Sequence, residues 1–571
     1  MARAEPAAAG SPALGLFPVA LIALLAAPVL AGLAGVALPA FGWLPALGGE
    51  RLSLGAFAAL AERPGIARSA LLSLWTGLGS ALLAFVATVL FVAGFAGTRT
   101  FSVLRGLISP LLSLPHAAAA IGLAFLVSPS GWLIRLASPW ATGWTRPPDL
   151  LVINDPAGTA LLLGLAAKEV PFLMLMTLAA LGRGGGAATA MVTASLGYGR
   201  VTGFLLAVLP RLYPQIRLPI FAVIAYATST VDMALVLGPT TPPTLAVALV
   251  RLAADPDLAV RFEASAAALL QLGVTASALA IWMLGERAAA MLARRAARRG
   301  RRDHFDNALA AAGLAGTGLA AAAVGAGLVS LGLWSVAEQW RFPAGLPDSV
   351  SLERWSAALP ELVATVGTTA ALAAASTAIA LVLVLGSLEA AERRGSKGLA
   401  GAGLIYLPLL VPQVAFLFGL QVLLLAAGVT PGLAPVLLAH LVFVVPYVAL
   451  SLEDPWQAFD RRYARAAAAL GASPARIFWR IRLPLLARPV ATAAAVGFAV
   501  SVGVYLPTLL AGGGRVVTLT TEAVARAGGS DRRTLAIYAL AQTLLPFAGF
   551  VAAALLPRLV HRGQRAAGGV R

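Results

Sequence analysis

Chemistry needs polar groups held close together, and this sequence offers few of them. It has no cysteine, which removes disulfides, thiolate metal sites and cysteine nucleophiles together. Its four histidines, His116, His304, His440 and His561, are far apart, so a local metal motif of the HExxH kind is absent. The only two lysines stand in Lys168-Glu169 and Lys397-Gly398. Neither is the Lys-Ser/Thr of a P-loop, so the chain carries no ATPase motif of its own. What remains are three charged residues inside apolar runs, Lys168, Glu169 and Asp232. Such groups mark a solute or ion path, or form a structural interhelical pair. Adjacent helical positions diverge by about 100°, so Lys168 and Glu169 do not simply pair: one can face a pore while the other meets Asp232 or a neighbouring helix. No catalytic triad and no ligand cluster is evident. The expectation is a chain that makes and breaks no bonds and needs no metal or cofactor.

The elements that position these residues follow from composition. Of 571 residues, 59% are hydrophobic and 12% charged, with 58 glycines and a mean hydropathy of +0.87. A soluble core cannot hide that much apolar surface. A spanning helix needs about 20 apolar residues, and runs of that length recur about twelve times. They fall near 14–38, 70–95, 106–127, 159–180, 215–237, 264–285, 308–335, 361–388, 398–426, 434–452, 489–511 and 534–557. The first is too long for a signal-peptide core and reads as a retained helix. The fold class expected is an all-α polytopic membrane protein.

Alternate loops differ in charge. With both termini cytoplasmic, inner loops hold 28 of the 42 Lys and Arg residues and outer loops 13. Acidic residues divide as nine inside and 13 outside. This is the positive-inside signature, so the formal charge of +18 reports orientation in a bilayer and calls for no nucleic acid. The Arg-rich run Arg294–Arg302 lies near the middle. It reads as part of a cytoplasmic linker, 294–306, between a first half (1–293) and a second (307–571), with affinity for anionic lipid as a further property.

The halves repeat. Met191-VTASLGYGRVTGFLLAVLP-Pro210 and Arg465-AAAALGASPARIFWRIRLP-Pro484 align so that Gly197 and Gly471, Leu209 and Leu483, and Pro210 and Pro484 are each 274 residues apart. One span upstream, Pro171 and Pro446 are 275 apart. In the second copy the Ala-rich arm favours helix, and Gly471 can take the left-handed conformation that ends it. Ser473 suits an N-cap and Pro474 the first helical position. A second arm then runs through Arg476, Phe478, Trp479 and Ile481 to Leu483, where Pro484 is expected to break it. The first copy has Gly197 and Gly199 for its turn.

This loop resembles the cytoplasmic "EAA" loop, E-A-A-x3-G-x9-I-x-L-P, of permeases in binding-protein-dependent ABC importers. Two copies, at 187–212 and 461–486, make the chain similar to a fused double-length inner-membrane permease of the ferric-iron, thiamine and polyamine type. The sequence departs from that pattern where the family's glutamate would stand, at Met191 and Arg465, and at Ala207 in place of the isoleucine that Ile481 supplies. The resemblance implies that both loops dock on separate ABC ATPase subunits, two copies per chain, that an extracytoplasmic solute-binding protein delivers a small solute, and that alternating access moves it. The missing carboxylates imply that the halves engage their partners unequally.

The other class considered is an ion-coupled secondary transporter of twelve spans, with Glu169 and Asp232 as its ion site. The duplicated cytoplasmic loop argues against it, because ion-driven carriers have no ATPase to dock. Pro171 and Pro446 can bend their helices, as packing kinks or as gating elements. The second-half positions matching the charged triad, Val442–Val445 and Leu506, are apolar, so a polar path is expected to be one-sided. His116 and His440 read as packing residues. Thr244 and Thr518 open similar outer loops, suited to a short helix or to contact with the binding protein.

Overall fold

The computed structural model describes residues 12–183, 186–300, 302, 305–396, 398–399 and 402–568. Arg301, His304 and Lys397 of the sequence reading lie outside these. The described chain is helical apart from two small antiparallel hairpins, Trp43–Leu44 with Gly49–Glu50 and Ala337–Gln339 with Ser349–Val350. Its principal helices are α1 (Pro12–Ala40), α2 (Ile66–Phe95), α3 (His116–Val127), α4 (Thr159–Arg183), α5 (Leu209–Ser229) and α6 (Val260–Arg299). After a left-handed turn at Gly300 come α7 (Asp306–Val336), α8 (Glu353–Arg393), α9 (Gln413–Ala426), α10 (Leu433–Gln457), α11 (Ala487–Gly503) and α12 (Arg532–Gly568).

Among the described residues, nine helices are long and apolar enough to cross a membrane, or ten if Pro474–Leu485 and α11, bent by 75° at their junction, form one span. The expected count was about twelve. The two runs left over are interrupted: the fifth breaks after Ser229 and resumes as Asp232–Leu237, and the ninth keeps only the 14 residues of α9 behind Pro412. Both breaks free backbone groups inside apolar surroundings, which is tolerated where protein or a cavity surrounds them.

The two halves of the sequence exchange their first helices. α1 packs on α8 and α9, and α7 packs on α2, α3 and α4. Glycines make the crossings possible, because small residues let backbones approach closely. A Cβ on Gly32 would sit 2.0 Å from the carbonyl oxygen of Phe416, and one on Gly419 would sit 1.8 Å from that of Gly32. On the other side Gly327 of α7 meets Gly122 of α3 in the same manner. At the C-terminal end of α7, buried Arg135 donates to the carbonyls of Ser130 and Arg341 at 2.9 Å and stacks on the ring of Trp340.

The apolar core follows this exchange. One cluster joins both halves, from Leu123, Leu161, Met233 and Leu237 to Phe416, Leu506, Leu510 and Leu519. Towards the loops at Gly197 and Gly471 the core divides. Leu441, Val445 and Leu452 cluster on one side, and Leu173, Leu212 and Ile220 on the other.

Candidate functional site

The repeated loops fold alike. Helices Gly186–Ser195 and Arg461–Ala469 are each closed by a glycine at φ +80°, Gly197 and Gly471. In each, the next amide reaches five residues back, Tyr198 to Thr193 at 3.1 Å and Ala472 to Ala467 at 3.0 Å, which satisfies the last carbonyls of the arm. Ser473 caps the second arm, its hydroxyl accepting from the Arg476 amide at 3.3 Å, and Pro474 opens that arm.

The expected break at Pro484 is not there. The helix continues through Leu483–Leu485 and bends one residue later, at Leu486. A π-helical turn, Phe478–Arg482, precedes the proline, and its counterpart Phe204–Val208 precedes Pro210. Proline lacks an N–H and crowds the carbonyl four residues back. A wider turn just upstream relieves that clash, which is how Leu209-Pro210 and Leu483-Pro484 stay helical.

The loops differ in what they expose and in what holds them. The first shows Met191, Val192 and Leu196 to solvent; the second shows Tyr463, Leu470 and Trp479 among Arg461, Arg462, Arg465, Arg476 and Arg480. Ile481, Leu483 and Leu209 are half-buried behind these surfaces. At the root of the second loop, buried Arg482 is flanked by the rings of Trp456 and Phe459 at 5.1 and 5.4 Å and pairs with Glu389. Glu389 also holds Arg393 at 2.8 Å, and Arg461 reaches Glu392 at 3.0 Å. The matching residue in the first loop is Val208, packed with Phe91, Phe101 and Phe204. The first loop has Gly199 where the second has Ser473, and its cap comes from elsewhere. The carboxylate of Asp306, at the start of α7, accepts from the amides of Val201 at 2.6 Å and Thr202 at 3.2 Å. No local sequence signal pointed to Asp306 or Arg482.

Deeper in the protein a polar cluster gathers where the halves meet. Glu169 and Lys168, both nearly fully buried on α4, do not pair with each other, and Glu169 does not reach Asp232 as one reading expected. Glu169 instead faces His116 at 3.4 Å. The His116 ring lies 4.6 Å from that of Tyr226, whose hydroxyl donates to Asp232 at 3.3 Å. Thr230 donates to the same carboxylate oxygen at 2.9 Å. His116 is therefore part of the polar cluster and not a packing residue. His440 is buried and bridges Ser501 and Thr508, at 2.8 Å to each. The second half contributes the half-buried Tyr447 and Tyr505 at this depth of the sequence repeat, and Gly503 abuts Pro115, the residue before His116. Tyr447 stands two residues after Val445 and Tyr505 one residue before Leu506, next to the second-half positions that match the charged triad. Pro171 and Pro446 sit inside unbroken α4 and α10, so neither interrupts its helix.

The loops that Thr244 and Thr518 open form short helices, Leu245–Ala253 and Leu519–Ala527, seated in the joined core. Their first amides donate to Ser73 and Thr369, both at 2.9 Å. Thr518 adds a capping box with Thr521, whereas Thr244 caps through no side-chain bond.

Comparison with known proteins fits this arrangement. Residues 382–563 match the family described as binding-protein-dependent transport system inner membrane component. The chain is 32% identical over 450 residues to an inner membrane ABC transporter permease protein, YnjC, of Escherichia coli, covering 79% of this chain and 80% of that protein. It is 36% identical over 156 residues to the molybdenum transport system permease ModB of Mycobacterium bovis, 25% of this chain and 59% of that one. Over 102 residues it is 31% identical to the spermidine/putrescine transport system permease PotC of Haemophilus influenzae, 18% of this chain and 40% of that one.

Proposed function

The chain belongs to the family of inner-membrane permeases of binding-protein-dependent ABC transport, and from that premise we propose that it moves a small solute inward by alternating access, driven by ATPase subunits docked on the loops at Gly197 and Gly471. Membership makes it a multi-pass inner-membrane transport component whose partners are an ATPase and a solute-binding protein. The finer reading is two ATPase copies per chain, both termini cytoplasmic, and one permease half on each side of the 294–306 linker. The observation that carries it is the pair of loops. They share a left-handed glycine and a π turn in one register, and each leads directly into a helix of its own half. A push on either loop is therefore delivered to the helix behind it, α5 or α11.

The core supports the same reading. It is joined across the halves where Leu245–Ala253 and Leu519–Ala527 sit, and divided near the docking loops. That is the pattern of an inward-facing state, closed outside. The path then runs past Glu169, His116, Asp232, Tyr226, Tyr447 and Tyr505, with Lys168 beside it and Pro171 and Pro446 softening α4 and α10.

The test is a pull-down of the tagged chain from its native membrane in mild detergent, with mass spectrometry of what accompanies it. Recovery of a P-loop ATPase at two copies, lost when Gly197 and Gly471 are both replaced by Trp, is the expected result. Recovery of the chain alone, with uptake that collapses when the ion gradient is removed, would assign it to the secondary transporters.

A further inference from the structure

The two docking loops open their second arms with the same backbone and different chemistry. Gly199 (φ −57°, ψ 157°) and Ser473 (φ −66°, ψ 153°) occupy matching N-cap positions. An N-cap side chain normally satisfies the amides two or three residues on, which otherwise have no partner. Ser473 does this for itself. Gly199 has no side chain, and Asp306 does it instead, from more than 100 residues further along the chain. The Thr202 hydroxyl donates to Asp306 as well, and the Gly199 amide donates to the Arg302 carbonyl at 2.7 Å.

The absence of a side chain at position 199 is what admits the carboxylate. A Cβ there would lie 2.4 Å and 2.8 Å from the two oxygens of Asp306. Serine at 199 and aspartate at 306 are thus alternative caps that exclude each other. The carboxylate also places a negative charge at the positive end of the arm.

We propose that Asp306 is a positioning residue for the first docking loop, so that this loop is completed from outside the first half, by the residue that opens α7, while the second loop caps itself. Its consequence for transport rests on the docking role proposed above. Asp306 opens α7, the exchanged helix that packs on α2, α3 and α4. Any movement of α7 relative to α5 is therefore felt at the first docking surface. The second surface has no such tie at its cap.

The full chain in lipid nanodiscs tests this by hydrogen exchange at single residues. Asp306→Ala should speed exchange of the Val201 and Thr202 amides about tenfold and leave that of Arg476 unchanged. Asp306→Asn, which keeps an acceptor oxygen, should fall between. Gly199→Ser alone should also loosen the arm, because its side chain and the carboxylate compete for one space. Gly199→Ser combined with Asp306→Ala should return the amides to near wild-type protection, since the serine then caps as Ser473 does. Unchanged exchange in Asp306→Ala, or a double variant no better protected than Asp306→Ala, overturns the proposal. Counting co-purified ATPase by native mass spectrometry on the same variants separates the two claims. Loss of one copy in Asp306→Ala and its return in the double variant support both. Altered exchange with two copies retained leaves the cap in place and removes the docking role of the first loop.

Discussion

The loops around Gly197 and Gly471 share a backbone, and almost everything else about them differs. The turn is the same, with a left-handed glycine and a π-helical step before Leu-Pro. The second loop is self-capped, Arg-rich on its surface and rooted in a buried ion pair; the first is capped from α7, exposes Met191, Val192 and Leu196 with Arg200, and is rooted in phenylalanine packing. The lesson is that the two copies share the geometry of the turn and differ in the means of holding it. Each loop is firm for its own reason, so each should fail in its own way.

The largest contrast should appear at the roots. Glu389→Ala removes the nearer of the two carboxylates that face buried Arg482, leaving Glu392 at 3.6 Å, and breaking such a buried pair costs up to about 3–5 kcal/mol. Val208→Ala in the first loop should cost less, roughly 1–3 kcal/mol. Thermal unfolding of the two variants side by side measures the difference. Equal losses would mean that the ion pair holds no more than apolar packing does.

Next come the exposed anchors. Trp479 is 64% exposed, and exposed aromatics that become buried on binding often carry about 2 kcal/mol or more of affinity. Trp479→Ala should weaken ATPase binding by that amount with folding unchanged. Met191→Ala should do less, and added salt should weaken the Arg-rich second loop more than the first. Titration of the purified ATPase at two ionic strengths reads all three.

At the glycines the loops should converge. Gly197→Ala and Gly471→Ala each place a Cβ on a left-handed residue, at about 1–2 kcal/mol. Nothing crowds Gly471, and Gly197 meets only the flexible Arg302 side chain, so similar losses of helicity in the two loops are expected. A much larger loss at Gly197 would show that Arg302 is held more firmly than its contacts imply.

The smallest effect concerns Asp460, which caps the first arm of the second loop. Hydrogen bonds from the Arg462 side chain and then from its backbone hold the carboxyl below its ordinary range. Its stabilising contribution is therefore present above the usual carboxylate pKa and is lost only as pH falls through the lowered value. A carbon-13 carboxyl titration should place the Asp460 midpoint below that of a free aspartate. Arg462→Ala should move it upward.

Much of this was legible in the residues. Composition pointed to a helical polytopic membrane protein, which the helices bear out. The shared spacing exposed the repeat, and Gly471, Ser473 and Pro474 announced the turn and cap that the structure contains. These features depend on residues within one turn of each other, where backbone preference and capping act without help from the rest of the chain.

Other features could not be read because their partners are distant. Pro484 reads as a helix breaker, yet the π turn before it absorbs the clash, and the bend falls at Leu486. His116 looked solitary until folding brought Glu169 and Tyr226 beside it. Asp306 precedes a helix in the sequence and caps a different one in space. By itself, the sequence determined the solvent, the orientation signal and the repeated turn, because hydropathy, charge asymmetry and spacing are local and additive along the chain. Only the tertiary structure decided which half caps which loop, which helices are exchanged and which buried charges meet. Those outcomes depend on backbones approaching at Gly32, Gly122, Gly327 and Gly419, and no local preference encodes which glycine will face which.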